Sequence, residues 1–146
     1  MKIVFSFLFL IASVCCPAQK TVPEFAIYFG NEFADDTITI YANGIRIASA
    51  IPLQRTMQAP QSLVIIQDNA SLSIAPYRQA RQHLDKIPLR DSILKLDIIL
   101  KDTGRSFRVD LRKGKYIFPE IHYIPAGWSG FRLPVIWQSR DEPIYF

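Results

Sequence analysis

From Ile93 to Arg112 the chain alternates apolar and polar residues with a period of two on both sides of a short polar break. Leu94, Leu96, Ile98 and Leu100 alternate with Lys95 and Asp97, and beyond the break Phe107, Val109 and Leu111 alternate with Arg108, Asp110 and Arg112. That pattern predicts an antiparallel hairpin with one wet and one buried face. A two-residue Thr103-Gly104 loop would set Asp97 against Asp110 and Lys95 against Arg112, and like charges across a ladder repel. A four-residue loop of Lys101 to Gly104 is therefore expected. It faces Asp97 with Arg108 and Lys95 with Asp110, and stacks Ile98, Leu96 and Leu94 over Phe107, Val109 and Leu111.

The same pattern recurs along the chain. Phe25 to Phe29 alternates, with Phe25, Ile27 and Phe29 on one face, and Thr37 to Tyr41 is the next predicted strand. Asn43-Gly44 is a strong type I′ hairpin signal, because both central residues of that turn need positive φ. The expected return strand is Ile45 to Ser49, with Ile40 facing Ile47 and Tyr41 facing Arg46. Pro52 to Gln61 has no period and reads as a loop. Leu63 to Gln67 and Ala70 to Ile74 form a third hairpin about Asp68-Asn69, pairing Ile65 with Leu72 and Leu63 with Ile74. Between Pro76 and Ser92, Tyr77, Ala80, Leu84 and Ile87 fall at helical spacing, so a short surface helix and a crossover loop between sheets are both open. Tyr116 to Ile124 reads as one strand bent at Pro119 or two short ones. Pro125 to Gly130 is a loop, and Phe131 to Gln138 is a strand that Pro134 marks as an edge.

About eight to ten short strands with turn signals between them predict an all-β antiparallel sandwich. An immunoglobulin-like arrangement is the favoured form, with a small β-barrel as the alternative. Composition agrees with a packed core: 49% hydrophobic and 12% aromatic residues against 21% charged.

The first eighteen residues carry a different message. Lys2, the apolar run Ile3 to Cys16 and a small residue at Ala18 form a secretory signal peptide over 1–18, leaving 19–146 as a single β-sandwich domain. The Ala18-Gln19 junction resembles signal-peptide ends of exported proteins of Bacteroidota. The alternative is a lipid anchor on Cys15 or Cys16. Those two are the only cysteines, so cleavage after Ala18 leaves neither a disulfide nor a thiolate metal site in the mature chain.

Catalytic signatures are weak. Gly127-Trp-Ser-Gly130 lacks the glycine of a hydrolase elbow, where Phe131 stands, and no histidine follows it. His83 and His122 lack metal-ligand spacing, and Asp35-Asp36 reads as a turn rather than a calcium site. No cofactor or metal is expected. Arg105, Arg108, Arg112, Lys113 and Lys115 form a basic cluster within a chain of net charge +4, readable as a solvated strand face or a surface for phosphate-rich polymers or lipid headgroups. Lys113 to Phe118 faintly resembles an RRM aromatic strand but misses its glycine-aromatic spacing, and a nucleic-acid partner is not expected.

Aromatic residues are the better clue. Trp128, Tyr123 and Trp137 are the candidate ligand-binding residues, able to stack on sugars or anchor a protein, although Trp137 and Phe131 also read as core. The expectation is an exported, non-enzymatic binding or assembly module of the bacterial cell envelope, periplasmic or extracellular. It would present loops or a sheet edge to a protein or glycan; the alternative is a carbohydrate-binding module using exposed aromatics. Membrane association is expected only with lipidation at Cys15 or Cys16.

Overall fold

In a computed structural model, residues 22–30, 33, 36–53, 61–101, 103–124 and 131–143 are described. The signal-peptide reading over 1–18, the Pro125–Gly130 loop with Trp128, and Ile144 to Phe146 lie outside them. No helix among the described residues is long and apolar enough to cross a membrane.

The described residues form ten strands in chain order: β1 (Phe25–Gly30), β2 (Thr37–Ala42), β3 (Ile45–Pro52), β4 (Gln61–Gln67), β5 (Ser71–Pro76), β6 (Gln82–Asp85), β7 (Ile93–Leu100), β8 (Thr103–Asp110), β9 (Tyr116–Ile124) and β10 (Phe131–Ser139). They form a six-stranded sheet, β10-β9-β1-β4-β5-β6, and a four-stranded sheet, β3-β2-β7-β8. The two pack face to face, which is the sandwich that the alternation predicts. All pairings are antiparallel except β1 with β9, where Ala26 and Ile27 lie beside Tyr116 and Ile117. Six plus four strands with that parallel junction differ from the seven- and nine-stranded immunoglobulin sets.

Inward positions of both sheets meet in one core. Phe25, Ile27, Phe29, Leu63, Ile65, Leu72 and Ile74 come from the larger sheet, and Ile38, Ile40, Leu94, Leu96, Ile98 and Val109 from the smaller. Phe33 meets Phe29 edge-on, with ring centroids 5.2 Å apart. The Asn43-Gly44 turn forms as expected, with φ of 50° and 81°, and Tyr41 faces Arg46. A bulge between Ile40 and Tyr41 then sets Ile40 against Ala48, not Ile47. The extra residue is absorbed without turning Ile40 from the core.

Two other registers differ from expectation by two residues. The Asp68 hairpin pairs Ile65 with Ile74 and Leu63 with Pro76. Its cause is local: the Asp68 carboxylate accepts hydrogen bonds from the amides of Ala70 and Ser71, both at 2.8 Å, which closes a longer turn. In the central hairpin Leu100 lies opposite Thr103, so the connection is two residues shorter than expected. Leu96 therefore faces Phe107, Leu94 faces Val109, Asp97 faces Ser106, and Lys95 faces Arg108. The tight turn extends the ladder and keeps every apolar residue on its face. The like-charge contact it creates lies on the exposed side, where water screens it.

The segment expected as helix or crossover contains β6, a four-residue edge strand with every residue exposed. Residues 86–92 then cross to the other sheet. Gln67, fully buried, pins that crossing: its amide oxygen accepts from Ile87 N at 2.8 Å, while its amide nitrogen donates to Ile87 O and to Glu24, both at 2.9 Å. Pro134 does lie on an edge strand, β10. The β8–β9 connection is stitched to β10 by Gln138, which donates to the carbonyls of Asp110 and Gly114.

Candidate functional site

The outward face of the larger sheet carries a row of rings that ladder geometry builds. β9 and β10 pair Phe118 with Trp137 and Glu120 with Val135, so these side chains share one face. The parallel β1–β9 junction brings Tyr28 beside Phe118, and the two rings stack with centroids 5.6 Å apart and planes 15° from parallel. With strands about 4.8 Å apart, Tyr28, Phe118 and Trp137 form a line about 10 Å long across three strands. Val64 continues it on β4, opposite Tyr28.

Trp137 is the exposed end of the row, with 58% of its surface accessible. Its reading as a core residue is therefore corrected: Trp137 points to solvent because it shares the parity of Glu120 and Phe118, opposite to that of buried Ile117 and Ile121. Its indole N–H donates to Glu120 Oε2 at 2.8 Å, which fixes the ring, and His122 Nε2 lies 3.7 Å from the same oxygen. An exposed indole tied to a carboxylate, with an imidazole beside it, offers apolar surface with polar groups at its border. Such a surface suits an amphipathic ligand with apolar faces and hydroxyl edges.

Of the three candidate binding residues, Trp137 is in this row. Tyr123 stands in β9 opposite Arg132, its side chain outside the described residues, as is Trp128. Phe118 and Tyr28 were not singled out in the sequence; Glu120 and His122 complete the set. The signal for them is the sheet order, which puts residues far apart in sequence on one line.

The five residues of the basic cluster make separate contacts. Arg112 grips Asp110 through two hydrogen bonds of 2.8 Å, and these hold the Asp110 carboxyl down at about 2. Arg105 reaches across to the Pro134 carbonyl at 3.2 Å and lies over the Phe107 ring. Lys115 lies over Tyr116, and the Lys113 carbonyl accepts a hydrogen bond from Arg140. Arg108 alone of the five is set opposite another cation. Among the described residues there is no group of three or more histidine, cysteine or carboxylate side chains placed to hold a metal ion.

No protein-family model, curated protein or solved structure matches this chain.

Proposed function

We propose that this chain is an exported, non-enzymatic binding module of the bacterial cell envelope, and that it recognises carbohydrate through the Tyr28–Phe118–Trp137 row. The observation that supports this reading is the outward, hydrogen-bonded Trp137 at the end of a ring row on the outer face of the larger sheet. A pyranose presents an axial C–H face to an aromatic plane and hydroxyls at its rim, which Glu120 and His122 are placed to meet. Pull-down on immobilised insoluble glycans tests the reading: wild type is retained and Trp137→Ala passes through. Retention of both proteins alike, or of neither on any glycan, counts against it.

The export part of the proposal rests on the pattern from Met1 to Ala18. Intact mass of the protein recovered from its own cells tests it. A soluble species beginning at Gln19 supports a periplasmic or secreted binder, and an acylated species beginning at Cys15 or Cys16 makes it a tethered one. A chain still carrying Met1 to Ala18 in the cytoplasm overturns export.

A second reading is a protein partner that adds a strand. It is favoured by β6, whose four exposed residues form the outer edge of the larger sheet and, among the described residues, pair on one side only.

A further inference from the structure

The outer face of the smaller sheet, on the opposite side of the sandwich from the ring row, holds two adjoining depressions. One, of about 440 Å³, is lined by Asn43, Pro88, Arg90, Asp91, Ile93, Lys95 and Arg108; the other, of about 360 Å³, shares Ile93, Lys95 and Arg108 and adds Ser106 and Phe107. The floor is the β7–β8 ladder and the wall is the turn that leads into β7. In that turn Asp91 and Ser92 both take positive φ, at 54° and 57°, and Ile93 N donates to Arg90 O at 2.9 Å. The other wall is the Asn43 turn. Asn43 fixes the floor, since its side-chain oxygen accepts from Lys95 N and its side-chain nitrogen donates to Pro88 O, both at 2.8 Å.

Charge in this depression is unbalanced. Lys95 and Arg108 are directly opposite in the ladder, and Arg90 joins them; among the described residues that line it, Asp91 is the one carboxylate. Among the described residues no carboxylate lies within ion-pairing distance of these three cations. The nearby Asp110 is already held by Arg112. Like charges face to face destabilise a ladder. They become favourable once an anion sits between them, because its oxygens accept charge-assisted hydrogen bonds from both sides.

We infer that this depression is a binding site for a multiply charged oxyanion, a phosphate group. Lys95 and Arg108 clamp the phosphate from the two strands, Arg90 closes on it from the turn, and Ile93 and Pro88 carry the organic part of the ligand. The site is independent of the carbohydrate reading and of the residues that support it.

Titrating isotope-labelled protein with inorganic pyrophosphate, followed by amide NMR shifts, tests the inference. Saturable shifts centred on Ile93 to Lys95 and Ser106 to Arg108 are expected, absent with sodium chloride at matched ionic strength. Arg108→Gln should weaken the pyrophosphate affinity at least tenfold, while Lys113→Gln leaves it unchanged. Because Arg108→Gln also removes a repulsion, its thermal midpoint should rise or stay level, which separates lost binding from lost fold. Competition by glucose 6-phosphate would place the phosphate on a soluble ligand, and co-sedimentation with phosphatidylglycerol but not phosphatidylcholine vesicles would place it on a lipid; either upholds the site. Shifts that do not saturate, or an Arg108→Gln titration identical to wild type, overturn it.

Discussion

Replacing Gln67 by leucine should remove about 2 kcal/mol of stability without opening a cavity. The side chain is fully buried and makes three hydrogen bonds, two of them to the amide and carbonyl of Ile87, itself 1% exposed. Leucine is close to glutamine in volume, so packing is nearly conserved and the loss is polar. Each backbone group of Ile87 left unpaired costs about 1–3 kcal/mol, and both are affected. Relaxation of the exposed segment beside Lys86 lets water reach one of them, which sets the total near the middle of that range. Glu24 loses one partner but keeps Lys86, so it adds little. Against a total of about 5–15 kcal/mol, the change is large. Urea unfolding should show a lower midpoint with an unchanged slope, and hydrogen exchange at the Ile87 amide should accelerate more than at amides of β1 or β4. A loss below about 0.5 kcal/mol, or an Ile87 amide as protected as in wild type, would refute the clamp.

Two further perturbations follow from the same physics. At Gly114 an added Cβ would lie 2.7 Å from the Ser139 carbonyl oxygen, a backbone atom that cannot swing aside, so Gly114→Ala should lower the thermal midpoint by several degrees and loosen β10 first; an unchanged midpoint contradicts the close approach. Asp110 is held down at about 2, first by the Arg112 side chain and then by the Arg112 amide, against an ordinary value of 3.8. A depressed carboxyl contributes stability that is complete above about pH 4 and lost as pH falls toward 2. Asp110→Asn should therefore flatten the acid limb of stability between those values, and an unaltered limb would show that the pair contributes nothing.

The faces of the strands were legible because burial enforces a period of two. Register was not, since a slip of two residues leaves every face unchanged. Charge was the remaining arbiter at Lys95, Asp97, Arg108 and Asp110, and exposed charge pairs are worth only tenths of a kcal/mol, less than extending the ladder over a tight turn. The bulge beside Ile40 has no marker in composition. Strand β6 escaped because Ala80, Leu84 and Ile87 fall at helical spacing, while the structure places Leu84 on an edge and Ile87 in the core crossing. Trp137 was recognisable by residue type alone. Its alignment with Phe118 and Tyr28 required the parallel β1–β9 pairing, a contact between chain ends that no local pattern announces. The opposed Lys95 and Arg108 emerge only from the true register.

The most direct test of the central claim is fluorescence titration of the Trp128→Phe protein, in which Trp137 is the one remaining tryptophan. Added cello-, chito- and xylo-oligosaccharides should include at least one that shifts the Trp137 emission saturably. Replacing Phe118 by alanine should weaken that ligand about tenfold or more, the loss of about 1.4 kcal/mol expected of a ring in a binding row. Emission that stays constant across the panel, with the fold intact by circular dichroism, would contradict carbohydrate recognition at this face.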